Sequence, residues 1–199
     1  MTHFLAFFSR QSLHQASRLL LAVSVTSVIA GVIGANGKAD GPALQATFWG
    51  PAGLVVDPGS GDVWMADAMN CLIRVLRAAT NIVSTISGSV CGGSPGPLAT
   101  ATLGTLAGIT LDSTRGDLYV TQPSGHVILK VSPAAGTVTV VAGKYNTSGY
   151  SADGPASSSL LTGPTGIAMG PDGASVYWTE VSAGMLWMEF FRCGCRSHK

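Results

Sequence analysis

From residue 50 onward the apolar residues fall into short runs, each ended by Gly, Pro, Asp or Ser. The stretches 53–57 (GLVVD), 62–67 (DVWMAD), 71–76 (CLIRVL) and 82–88 (IVSTISG) are too short for helices. Rich in Val, Ile and aromatics, they predict four strands, a to d, joined by tight turns. The outline then returns. Gly41 to Gly88 superimposes on Gly96 to Gly143 without a gap. Gly41, Pro42, Ala46, Thr47, Gly53, Asp57, Gly61, Asp62, Ile73 and Val83 each meet the same residue 55 positions on. A third copy follows at an offset of 58, with Gly108 onto Gly166 and Tyr119 onto Tyr177. Its extra residues fall in the Gly/Ser-rich loop between Gly143 and Asp153, where insertions cost little. Self-similarity at this period marks a repeat architecture. Four antiparallel strands per repeat make a propeller blade.

Alternation along these strands predicts a core between blades. It comprises Leu54, Val56, Val63, Met65, Ile73 and Leu76 in the first copy, and Ile109, Leu111, Leu118, Val120, Ile128 and Val131 in the second. Antiparallel pairing also sets the end of strand d beside the start of strand c. Cys71 and Cys91 are therefore expected to be neighbours, either bridged or as two free thiols.

The residues resemble the NHL-repeat β-propeller family, whose pattern is close to P-x-G-[IL]-A-V-D, a Gly turn, then Y-V-A-D-x-x-N-H-R-I. The first copy offers Pro51, Gly53, Leu54, Val56 and Asp57, then Trp64, Met65, Ala66, Asp67, Asn70 and Ile73. The second keeps Gly108, Ile109, Asp112, Tyr119, Val120, His126 and Ile128, with Gln122 in place of the strand-b Asp and Gly125 in place of the Asn. The third keeps Pro164, Gly166, Ile167, Ala168 and Tyr177, with Gly170 and Glu180 at the two Asp positions. The resemblance implies strand a lining a central channel and a ring of six blades. Three copies cannot close such a ring, and "MEFFRCGCRSHK" after Trp187 matches no fourth strand. The expected architecture is all-β, an open arc of about three four-stranded blades, with residues 38–190 forming the blades and 191–199 a tail. The remainder would come from a longer parent chain, ranked first, or from self-association.

Residues 1–37 form a separate unit. No Asp or Glu precedes Asp40, and Arg10, His14 and Arg18 lead into an apolar run ending at Ala35-Asn36-Gly37. That is the layout of an export signal, with a membrane anchor, organellar targeting or no signal at all as alternatives. The stretch 26–31 (TSVIAG) also resembles 83–88 and 138–143, so a strand is expected there as a rival reading. Composition narrows the function. Only 11% of residues are charged and the net charge is +1, with Arg74 and Arg77 the nearest approach to a basic face. Two arginines, read as solvated, do not grip a polyanion, so nucleic acid is excluded as a partner.

In a repeat protein the recurring residues are structural, and departures from symmetry are the better functional candidates. Asp57 and Asp112 end strand a and are expected to bind turn amides. Asp67 and Glu180 end strand b, where the resemblance implies an acid bracing the turn. With Asn70 and His126 they are also the candidate binding positions. Cys193, Cys195 and His198 supply at most three metal ligands on a tail, and are read as a solvated tail. Trp187, Phe190 and Phe191 beside it make an apolar patch. No catalytic constellation, metal set or cofactor loop assembles. The expected function is a non-catalytic module binding a protein or peptide at the blade loops, secreted or membrane-associated. The alternative is half of a propeller-type metal-dependent lyase or lactonase, which would need several His or acid ligands facing the channel.

Overall fold

In the computed structural model of the chain, residues 26–88, 90–150, 155–182 and 185–192 are described. Residues 1–25 and the segment carrying Cys193, Cys195 and His198 lie outside them, as do the side chains of Trp187, Phe190 and Phe191. The first sheet holds β1 (Gly41–Pro42), β2 (Pro51–Val56), β3 (Val63–Asp67), β4 (Leu72–Arg77) and β5 (Ile82–Ser87), in the order β1-β5-β4-β3-β2. The second repeats it with β6 (Gly96–Pro97), β7 (Ile109–Asp112), β8 (Asp117–Gln122), β9 (Val127–Ser132) and β10 (Thr137–Gly143). The third holds β11 (Pro164–Met169), β12 (Ser175–Ser182) and β13 (Met185–Arg192). All pairings within the sheets are antiparallel. Strands a to d are thus β2–β5 and β7–β10, and each of these blades carries a further two-residue strand on its outer edge. This is an incomplete β-propeller whose inner strands pack in the order β2, β7, β11.

Local chemistry explains where each strand stops. Asp57 turns the chain after β2: its carboxylate accepts from the Gly59 amide at 3.0 Å and the Ser60 hydroxyl at 2.8 Å. Asp112 does the same after β7 for the Thr114 and Arg115 amides, and Asp172 after β11 for those of Ala174 and Ser175. Between β3 and β4, and again between β8 and β9, one turn of 3₁₀ helix is ended by a residue in the left-handed region, Cys71 at φ 58° and His126 at φ 57°. The blades meet at glycine: a Cβ on Gly53 would lie 2.6 Å from the Ala107 carbonyl oxygen of the next blade.

The largest apolar cluster lies between the first two blades. Trp64, Ala66, Ile73 and Val75 pack there against Leu103, Leu106, Ile109, Leu111, Leu118, Val120 and Leu129. Ile128, Ala142, Leu161 and Trp178 join the second blade to the third. The predicted core holds in the second blade and for Ile73 and Leu76 in the first. It fails on the first blade's outer face. Leu54 and Val56 are 66% and 50% exposed, whereas their counterparts Ile109 and Leu111 are 5% and 7% exposed. No blade precedes the first among the described residues. Among those residues its outer face is covered by its own connector, where Ala30, Ala43, Ala46 and Phe48 pack with Val63, Met65, Leu76 and Val83.

The strand expected at 26–31 does not form. These residues are irregular, tied by the Gly31 amide to the Ala43 carbonyl at 2.8 Å. A six-residue strand needs a partner edge, and the outer edge of β5 is already taken by β1. Among the described residues no helix is long and apolar enough to cross a membrane.

Candidate functional site

The end of strand b is where the three copies diverge chemically. In the first blade Asp67 is fully buried and accepts three bonds: from the Trp49 amide at 2.7 Å, the Asn70 side chain at 2.8 Å and the Arg74 guanidinium at 2.9 Å. Asn70 donates in addition to the Gly37 carbonyl at 2.6 Å. Arg74, read from the sequence as solvated, is buried completely. Its five N–H groups reach Asp40 twice, Asp67, and the carbonyls of Ala39 and Thr47, while its face lies 5.0 Å from the Phe48 ring centroid. A fully satisfied guanidinium offsets much of the cost of burying a charge, which an unpaired one could not. The sequence signal was an Arg inside the apolar run CLIRVL, with an acid at the end of the adjoining strand.

The same brace is built differently elsewhere. In the third blade Glu180 accepts from the Thr162 amide at 2.7 Å, the position equivalent to Trp49. In the second blade Gln122 replaces the acid and Leu129 replaces Arg74. Gln122 accepts instead from the Tyr145 hydroxyl at 2.9 Å. Burial pushes the Tyr145 hydroxyl above its usual value, offset in part by that bond. His126 accepts at Nδ1 from the Gly163 amide at 3.2 Å, so its ring is tied to the third blade's connector. The four candidate positions therefore lie as two pairs. Asp67 and Asn70 touch directly; His126 and Glu180 are joined through the adjacent amides of Thr162 and Gly163.

These bonds hold loops, and the loops of the first blade present an apolar surface. The Met69 amide donates to the Trp49 carbonyl at 3.0 Å, and Met69 Cγ lies over Gly50. Cys71 and Cys91 form a disulfide, with Cα atoms 5.2 Å apart, next to Val90. Trp49, Met69 and Val90 are about half exposed. At the same places the second blade has Gly104, Ser124 and Tyr145. Sequence reasoning missed this trio because each residue sits in a different loop. Comparing loop positions between repeats would have found it. Among the described residues no three His, Cys, Asp or Glu side chains converge as metal ligands do.

No family model matches the chain, and no curated protein does. Solved structures do. A protein of unknown function from Bacteroides thetaiotaomicron matches 70% of this chain and 34% of its own length at 17% identity, with a TM-score of 0.60. A nidogen/laminin complex matches 71% of this chain and 44% of the matched chain at 18% identity, with a TM-score of 0.53. An auxiliary nutrient binding protein from B. thetaiotaomicron matches 74% and 39% at 14% identity, with a TM-score of 0.59. At such identities the likeness is one of fold, a β-propeller, and this chain spans less than half the length of each.

Proposed function

We propose that the chain is an NHL-like propeller module without catalysis of its own, which recognises a protein or peptide at the loop end of its first blade. The observation that carries this reading is the surface of Trp49, Met69 and Val90. It is apolar where the equivalent loops of the second blade are largely polar, and it is held in place by the buried Asp67–Arg74 pair and the Cys71–Cys91 bridge. Large apolar side chains on rigid loops lose little freedom on binding, which suits them to anchor a partner. The disulfide supports an exporting, oxidising setting, and the nidogen/laminin structure supplies an instance of the fold within a protein complex.

Peptides selected from a display library against the oxidised chain test the idea. Trp49→Gly and Met69→Ser, which install the second blade's residues, should each weaken the selected binders by about 2 kcal/mol or more. Ser124→Ala should leave them unchanged. Binders indifferent to both first-blade changes would sink this reading, as would metal-dependent hydrolysis of a lactone by the purified chain.

A further inference from the structure

The two internal junctions between blades follow one rule. A Cβ on Gly53 of β2 would lie 2.6 Å from the Ala107 oxygen, 2.9 Å from the Ile109 nitrogen and 3.0 Å from Gly108 Cα. On Gly108, one repeat later, it would lie 2.5 Å from the Thr165 oxygen and 3.1 Å from the Ile167 nitrogen. Each inner strand needs glycine there because the backbone of the next inner strand comes to contact. Gly166 of β11 is the third of the series, and it is exposed. A Cβ on it would meet only the Thr179 side chain of its own blade, and its φ lies outside the left-handed region. That contact, 2.8 Å to the Thr179 hydroxyl, would have to be relieved by turning a side chain, and no backbone of a following strand comes against this glycine among the described residues.

Thr179 repeats Thr121 in the same way. The Thr121 hydroxyl accepts from the Gly108 amide at 2.8 Å and donates across the junction to the Thr165 oxygen at 2.6 Å. The Thr179 hydroxyl accepts from the Gly166 amide at 3.0 Å, and its other neighbour, the Thr165 hydroxyl at 3.3 Å, belongs to its own blade. Beside them is an open cavity of about 260 Å³ lined by Gly166, Ile167, Ala168, Tyr177, Trp178 and Thr179. The third blade thus presents a junction surface built like that of the second, with the inner-strand glycine that both internal junctions share.

What fits such a surface is an inner strand reading small residue, glycine, branched apolar residue, as Ala107-Gly108-Ile109 and Thr165-Gly166-Ile167 do. Among the described residues one such strand has its outer side uncovered: Ala52-Gly53-Leu54 of β2, with Leu54 and Val56 exposed. We propose that a second copy of this chain seats its β2 on the Gly166–Thr179 face, head to tail. The Thr179 hydroxyl then donates to the Ala52 oxygen of the second copy. Leu54 and Val56 enter the cavity and become buried, as Ile109 and Leu111 are at the first junction. The contact is heterologous, one face meeting a different face, so copies join in the same sense as blades within the chain.

Sedimentation velocity of the full oxidised chain over a range of micromolar concentrations tests this. The expected mass is at least twice that of one chain. Gly166→Ala, which puts a methyl where the Ala52 oxygen must sit, and Leu54→Asp should each return it to a single chain. A mixture of the two variants should recover a two-chain species, because the first keeps an intact β2 and the second an intact β11 face. If Gly166→Ala does not fold, Leu54→Asp decides, since its side chain is exposed in the isolated chain. A wild-type mass of one chain at every concentration overturns the proposal and leaves the face to further blades of a longer chain. Association that survives both variants, or a mixture that recovers nothing, overturns it as well.

Discussion

The first and second blades share a backbone outline, a register and thirteen identical residues, yet they are held by different forces. In the second blade both faces are covered, by the first blade on one side and the third on the other. Its interior is mainly apolar, with Leu118, Val120, Leu129 and Val131, and its buried polar groups, Thr121 and Gln122 among them, are hydrogen-bonded. Among the described residues the first blade is covered by a neighbour on one face only. On the other, its own connector folds back and is fastened by Arg74, Asp67, Asp40 and Asn70, and a disulfide ties the following connector to the turn before β4. Where the second blade has Leu129, the first has Arg74. Where the first has Cys71–Cys91, the second has His126 and Asn146, with the Asn146 amide donating to the Gly125 carbonyl at 3.1 Å. The difference teaches that a repeat sets the path of the backbone, while the presence of a neighbour sets the side chains it can carry.

Breaking the ionic fastening should have the largest effect. Arg74→Leu gives the first blade the second blade's residue but leaves Asp67 buried and unpaired, at an expected cost of about 3–5 kcal/mol in chemical unfolding. Adding Asp67→Gln installs the second blade's whole pair. The double variant should be more stable than Arg74→Leu alone by at least about 1 kcal/mol. If it is not, the two braces are not interchangeable. Next in size, Ile109→Ala should cost about 2–5 kcal/mol, whereas Leu54→Ala, measured on the dissociated chain, should cost under about 0.5 kcal/mol. Equal losses would mean that the outer face of the first blade is covered. Replacing Cys71 and Cys91 together by Ser should cost about 3 kcal/mol for a closed loop of this length. Hydrogen exchange should then quicken in β4 and β5 before it does in β9 and β10.

The smallest effect concerns the acids that turn the chain. Burial alone would raise the Asp112 carboxyl, but bonds from the Arg115 guanidinium and from the Arg115 and Thr114 amides outweigh it and hold the group below its ordinary 3.8. The Asp57 carboxyl is likewise held low, by the Gly59 amide first and the Ser60 hydroxyl second. A carboxyl depressed by folding stabilises fully above its unfolded value and loses that contribution as pH falls through the folded one. Stability should therefore decline below about pH 4. Asp112→Asn should flatten the decline more than Asp57→Asn, because Asp112 is buried and ion-paired while Asp57 lies near the surface.

Much of the fold was legible because the repeat states each strand more than once. GLVVD is ambiguous alone, but its alignment with GITLD and GIAMG removes the ambiguity. That Cys71 and Cys91 are neighbours was legible for a related reason, since pairing β4 with β5 brings them together; whether they are bridged was left open, and the structure forms the bridge. Exposure on the first blade was not legible, since alternation reports that Leu54 and Val56 share a face and says nothing of what lies against it. Gly41–Pro42 repeats faithfully, yet two residues carry no period from which a strand could be read. Arg74 departs from the solvated reading because a charge marks the surface only where no partners enclose it. Its five bonds go to four residues between 39 and 67, three of them on the connector and one at the end of β3, gathered only when the connector folds back.

The Cys71–Cys91 bridge also changes what a cut in the chain means. It encloses β4, the turn at Thr80 and Asn81, and β5, a hairpin whose tip points to solvent. A protease that severs that tip leaves two pieces still joined covalently at the other end of the hairpin, each held in its sheet by unbroken partners. The first blade can thus be nicked at its most accessible turn and remain one molecule, separable only after reduction. The second blade, with Asn146 and His126 at the same two places, has no such second thread.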